Sequence, residues 1–379
     1  MKTIIRKTKP IIFQNNDFQT IQIKVFFPFK RDVENIAMMN LLPGMLHHQC
    51  SMYPTEREYS LQMQKLFILS CYCSSSTMIQ DAYFSFNFMI PDVDSLGQDY
   101  LEEQFQFFSE MMYHPKTENN HFCQKEFLRE VDNLKVEIDK AFKDCGTYAY
   151  IRAREVLDPE GEYSDTIYNH QEQIDQVTVQ NLYQFYTDKI LENDPLIYIF
   201  GNVDEKRMND LCKKYFYRHS FSKKSFSVQT KRYLPIKKKF DDVVEKSSFH
   251  NSSYISFYKV RDMKEEDEIY LSAVQSLLSS QSSRILQKVL RTENDLVYSS
   301  TTMNSSSYGI LGIITFIQKD NIQLVKEKIQ DALDRLKDED LVEECLNNIK
   351  ERNRITLIRQ LDDKVSLFTK TILKGNFFV

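Results

Sequence analysis

Arg291 and Tyr298 stand seven residues apart in the stretch SSRILQKVLRTENDLVYSS, residues 282–300. A guanidinium offers a charged, planar fork of donors, and a phenol offers one neutral hydroxyl. Two such donors aimed at one oxygen would stabilise negative charge growing on it, as in acyl transfer. The segment before Arg291 is apolar and compatible with a helix, and Leu296, Val297 and Tyr298 open a strand. The spacing therefore predicts both groups at a helix-to-strand corner. A plainer arrangement fits the same spacing. Arg291 would then be a cation at a helix C-terminus, worth about 0.3–1 kcal/mol, and Tyr298 an aromatic of the core.

Other chemistry is thinly represented. No GxGxxG or GxxxxGK[ST] string is present, and eight Gly in 379 residues is low for a protein built on phosphate-cradling loops. The net charge of −5 argues against nucleic acid as a partner of the whole chain. The basic N-terminus, MKTIIRKTKPIIFQNND, has no apolar core of the signal-peptide kind. No run approaches 18 apolar residues, so no membrane partner is expected. Seven Cys are scattered without a framework, and Cys71-x-Cys73 is too small a set for a zinc site. Reduced thiols in a cytoplasm are expected. His114, His121, His170, His219 and His250 are isolated.

The elements that must carry the Arg/Tyr corner follow from hydrophobic period. Ile21, Ile23, Val25, Phe27 and Phe29 alternate as a half-buried strand, as do Phe84, Phe86, Phe88 and Ile90. Helices are predicted over about 31–50, 55–67 and 101–112. A long one over 121–142 carries Phe127, Val131, Leu134 and Ile138 on one face. Helices over 148–157 and 178–190 and a buried strand, LIYIF, close a first unit near residue 204. Between Lys213 and Phe240 lie ten Lys/Arg and no Asp/Glu, which reads as a solvated linker. The order then restarts: a strand at 254–260, a helix over 265–290, strands at 296–303 and 308–316, and helices over 322–336 and 341–373. The expected fold class is α+β, two tandem homologous domains with an antiparallel-rich sheet and helices on one face. The expected division is 1–204, a basic linker over 205–240, and 241–379.

Taken together, these features resemble the insulinase/pitrilysin (inverzincin) metallopeptidase family. Its second domain carries a small-residue run, S-x-L-F-like residues, then R-x6-Y and small residues. Ser283, Leu286, Val289, Arg291, Leu296, Tyr298 and Ser299 fall in that register. The segments DFQTIQIKVFFPF, LLPGMLHHQCSMYPTEREY, FLREVDNLKVEIDKAFKDCGTYAYIRAREVL and NDPLIYIFGNVD resemble the non-catalytic bacterial members named for elongation-factor P modification. The family pattern continues past a point like Gly375, so the resemblance implies either that the final elements are missing or that this member is short.

Active members hold zinc with H-x-x-E-H on a helix and a later Glu. This chain has no such string. The matching helix is expected to offer His47, His48 and Cys50. Adjacent His residues diverge by about 100° on a helix and cannot chelate together. Glu130 and Glu137 keep the spacing of the family's later acidic pair. No metal and no cofactor are expected. The resemblance implies half of a peptidase clamshell, with Arg291 and Tyr298 binding the carbonyl of the scissile bond. It further implies a non-catalytic cytoplasmic subunit that forms a heterodimer with a zinc-bearing homologue around a peptide substrate. The alternative is a catalytically silent peptide-binding or scaffold protein with no proteolytic partner.

Overall fold

The computed structural model describes residues 2–4, 9–78, 81–159, 161–218, 226–228, 242–261, 263–264, 266–280, 284–317 and 321–362. The expected linker beyond residue 218 therefore lies mostly outside the described residues. So do His219, Ser283 and the end of the helix expected to reach 373. The described residues fall into two contact units. One holds those within 1–138 and 165–230, the other those within 139–164 and 231–367.

The first unit is built on a five-stranded sheet. Its strands are β1 (Ile11–Gln14), β2 (Thr20–Lys30), β3 (Ser70–Met78), β4 (Asp81–Pro91) and β5 (Leu196–Gly201). The order is β1-β5-β2-β4-β3, with β1 and β5 parallel and the other pairs antiparallel. The alternation in β2 does what its period dictates: Ile21, Ile23, Val25 and Phe27 are buried. Phe84, Phe86, Phe88 and Ile90 of β4 cover the same face. Pro28 is tolerated in β2 because the strand pairs with β5 only over Gln22–Phe26.

Helices complete this core. They are α1 (Ile36–Met45), α2 (Glu56–Lys65), α3 (Leu101–Tyr113), α4 (Gln124–Lys143), α6 (Val179–Tyr186) and α7 (Glu205–Tyr215), while α5 (Cys145–Leu157), between α4 and α6 in the chain, belongs to the second unit. A Thr55/Glu58 capping box starts α2. Phe127, Leu134 and Ile138 of α4 are buried, as their spacing predicts.

The second unit repeats the central pattern. Strands β6 (Ser252–Lys259), β7 (Val297–Ser305) and β8 (Ile310–Ile317) run in the order β6-β8-β7, all antiparallel. This matches β2-β4-β3, where the last strand also folds back into the middle. Helices α8 (Asp267–Ser279), α9 (Ile322–Asp334) and α10 (Glu339–Asp362) supply its core, with Leu278, Val325 and Ile329 against Ile313 and Ile317. Gln275 Nε2 donates to the Thr302 carbonyl at 3.3 Å, and Asn304 Nδ2 to Ser272 Oγ at 3.1 Å, tying α8 to β7.

Two features depart from the expectation. The single helix expected over 265–290 is interrupted: α8 ends at Ser279, and Ser280 is extended. A shorter helical segment, Ile285–Gln287, then leads into a π turn, Lys288–Thr292. The second departure is a helix on the sheet's other face. The α+β class holds, but α5, from the arm at residues 139–164, packs within the second unit. A Cβ on Gly146 would meet the Phe316 ring at 2.3 Å, so glycine lets the helix seat there. Arg154 lies over the Tyr150 and Tyr163 rings, and Tyr163 packs edge-on to Phe257 and Tyr308. These aromatics cover the face of β8 that Ile310 presents, which would otherwise be wet.

Candidate functional site

The corner between Arg291 and Tyr298 is irregular at both ends. Arg291 sits in the π turn, a local widening of the helix that recurs at functional sites. Tyr298 sits at a register shift: Val297 faces Ile317, but Ser299 already faces Phe316. That is a β-bulge, which frees one side chain from the alternation of the strand. Leu296 N donates to Leu290 O at 2.8 Å, and Asp295 N donates to Arg291 O at 2.9 Å. The strand entry is thereby folded back onto the helix end, and both side chains leave one corner.

Their exposure decides between the two arrangements that the spacing allowed. Tyr298 is 55% exposed, so it is not a core aromatic. Arg291 is exposed as well. Neither side chain makes a hydrogen bond, ion pair or ring contact among the described residues. The apolar residues of the segment do the packing instead: Leu286, Val289, Leu290, Leu296 and Val297 are buried. Two donors are thus held on a buried apolar frame and left exposed to solvent.

The helix matching the zinc helix is α1, and the histidines are not on it. It ends at Met45, three residues after Leu42, where Pro43 and Gly44 weaken it. His47 and His48 follow in the turn, with rings stacked at 3.6 Å and His48 in the left-handed region at φ 65°. The expectation that the helix presents His47, His48 and Cys50 is therefore corrected. Burial, then the neighbouring His48, lowers the His47 pKa, and burial raises that of Cys50.

The position facing the acidic helix is Gly44. A Cβ there would come 2.4 Å from Glu130 Oε2. Glu130 also accepts from Arg129 Nε at 3.2 Å, and Glu137, two turns further on α4, is exposed. Taking Gly44 as the last position of H-x-x-E-H, the five residues read Asn40-Leu41-Leu42-Pro43-Gly44. Neither ligand position carries an imidazole, and the base position carries a proline. Asn40 Nδ2 is spent on the Ile36 carbonyl at 2.8 Å. This donor set does not fit a catalytic zinc, which needs three protein ligands. Among the described residues, no group of three His, Cys, Asp or Glu is placed to hold a metal ion. The signal that could have located this register is long-range, the contact from Glu130 to Gly44, and it has no periodicity in sequence.

The remaining candidates are structural. Cys71 and Cys73 share the buried face of β3. Burial pushes the Cys71 thiol up to about 12, and its sulfur lies 3.2 Å from the Tyr59 hydroxyl and 3.1 Å from Met111 Sδ. His114 pairs with Glu110 at 3.3 Å, and His170 with Asp165 at 3.2 Å. No helix among the described residues is long and apolar enough to cross a membrane.

Comparisons with known proteins agree with this geometry. Residues 176–353 match the family model described as the peptidase M16 inactive domain. A curated relative, the probable inactive metalloprotease YmfF of Bacillus subtilis, is 19% identical over 94% of this chain and 84% of its own length. The fold matches a conserved protein from Enterococcus faecalis with a TM-score of 0.84 at 19% identity, covering 100% of this chain and 90% of that one. It also matches the periplasmic protease PqqL of Escherichia coli, with a TM-score of 0.56 at 13% identity, covering 100% of this chain but 42% of that one. With its zinc-helix positions filled by Asn40, Pro43 and Gly44, the chain resembles inactive members of the peptidase M16 family, whose inactive-domain model it matches over residues 176–353.

Proposed function

We propose that this chain is the non-catalytic subunit of a heterodimeric metallopeptidase. A homologous, zinc-bearing chain supplies the metal and the general base. This chain completes the peptide chamber and lends Arg291 and Tyr298 to the carbonyl of the scissile bond. The observation that carries the proposal is the state of those two side chains, exposed and unpartnered on a frame with an irregularity at each end. A charged and a neutral donor at a developing oxyanion stabilise the transition state more than the ground state. The two proposed domains divide the work as the expected boundaries suggest, with 1–204 walling the chamber and 241–379 carrying the donors. An extended peptide would be held by main-chain pairing at a sheet edge, on the zinc-bearing half. The setting proposed is a bacterial cytoplasm.

Native mass spectrometry of this chain mixed with an H-x-x-E-H homologue encoded beside it tests the assembly. The expected species is a one-to-one heterodimer holding about one zinc, with none retained by this chain alone. Absence of a complex at micromolar concentration, or zinc retained by this chain alone, would contradict the proposal.

A further inference from the structure

The corner that presents Arg291 and Tyr298 closes on the last carbonyls of a helix, groups that have no partner within the helix itself. Four successive carbonyls, those of residues 288–291, find partners in and beyond the turn. Lys288 O accepts from Glu293 N at 2.9 Å, Leu290 O from Leu296 N at 2.8 Å, and Arg291 O from Asp295 N at 2.9 Å. The fourth differs in kind. Val289 O accepts from the side-chain amide of Asn294, Nδ2, at 2.7 Å. Asp295 follows in the left-handed region at φ 50°, a conformation the turn must hold against local preference. From outside the turn, Arg335 grips Glu293 through two bonds, Nη1 to Oε1 at 3.0 Å and Nη2 to Oε2 at 2.6 Å. That fork is planar and fixes direction as well as distance.

We infer that Asn294 is a positioning residue for the Arg291/Tyr298 pair, with the Glu293–Arg335 fork as its outer brace. The inference rests on the proposed role of that pair. Asn294 touches no reacting atom. It fixes the turn, so the π turn and the bulge keep a constant separation and the two donors leave the corner in one geometry. Asparagine suits the task because it supplies an N–H where the widened turn leaves a carbonyl. Aspartate, of the same shape, cannot donate when ionised and would repel the Val289 carbonyl.

The test uses the full chain labelled with 3-fluorotyrosine, with the Tyr298 resonance assigned by Tyr298→Phe. Asn294→Ala and Asn294→Asp are expected to shift or split that resonance while leaving the other tyrosines in place. Asn294→Gln, which keeps a donor, is expected to restore much of the wild-type position. In the complex with the zinc-bearing chain, Asn294→Ala should lower kcat about tenfold with KM unchanged, the mark of an interaction realised in the transition state. A Tyr298 resonance and a kcat both unchanged in Asn294→Ala would overturn the inference. If the wild-type complex cleaves no peptide, the proposed function falls, and the fluorine spectrum still decides whether Asn294 sets the corner.

Discussion

Replacing Arg291 with alanine is expected to lower kcat of the heterodimer by about 10²–10³-fold, or about 3–4 kcal/mol of barrier, the usual loss for one donor to a developing oxyanion. KM should change little, because the bond to the neutral ground-state carbonyl is weaker than that to the oxyanion. Tyr298→Phe removes one neutral donor and keeps the ring, so a smaller loss is expected, roughly tenfold or ~1.4 kcal/mol. Charge-assisted bonds are about twice as strong as neutral ones, which sets the order of the two effects. Arg291→Lys should recover only part of the loss, since an ammonium is a point charge and not a fork. Stability should be nearly unaffected, because both side chains are exposed and make no hydrogen bond, ion pair or ring contact among the described residues. Steady-state kinetics alongside a thermal melt would separate these expectations. A loss of activity that tracks a loss of folded protein would assign the pair a structural role instead.

The second large effect concerns the vacated metal positions. Asn40 and Gly44 lie one helical turn apart on α1, and the carboxylate of Glu130 already abuts Gly44. Asn40→His with Gly44→His should therefore create a zinc site where the native chain has none, closed by the α4 carboxylates Glu130 and Glu137. The Gly44 substitution meets the far end of a flexible glutamate, which can move aside. Metal analysis after dialysis should find about one zinc per double variant, lost again when the carboxylates are replaced by alanine. At zinc one hundredfold above Kd, linkage would add about 2.7 kcal/mol of stability. His47→Ala and His48→Ala should leave zinc uptake by the double variant unchanged. A folded double variant that takes up no zinc would show that the register assigned to Asn40–Gly44 is mistaken.

The two parts of the site differ in how far sequence could reach them. Arg291 and Tyr298 were readable because the motif that carries them is local. What spacing could not decide was whether Tyr298 points inward or outward. That depends on a bulge, one residue of register that no alternation pattern specifies. The metal register was misplaced for a related reason. His47, His48 and Cys50 drew the reading because of their residue types, although α1 had already ended at Met45. The residues at the positions assigned by the approach of Gly44 to Glu130, Asn40, Pro43 and Gly44, have no metal-binding chemistry to notice. Only the contact with Glu130, on a helix far along the chain, locates them. In the first sheet β2 and β4 were legible because one buried face imposes a period of two, and β5 as a short continuous apolar run, whereas β1 and β3 carry no such pattern and were not read as strands. The break after Ser279 was not, since apolar residues continue on both sides of it. Nor was the seating of α5 on the second unit, which depends on the missing side chain of Gly146 and the stacking of Arg154 between tyrosines.

That two chains share one active site is tested by peptide cleavage with each chain alone and with their mixture. With an unstructured peptide as substrate, this chain alone should give no cleavage, the zinc-bearing homologue alone only a residual rate, and the mixture a rate that saturates at equal amounts of the two. Full activity of the homologue alone, unchanged on adding this chain, would contradict it.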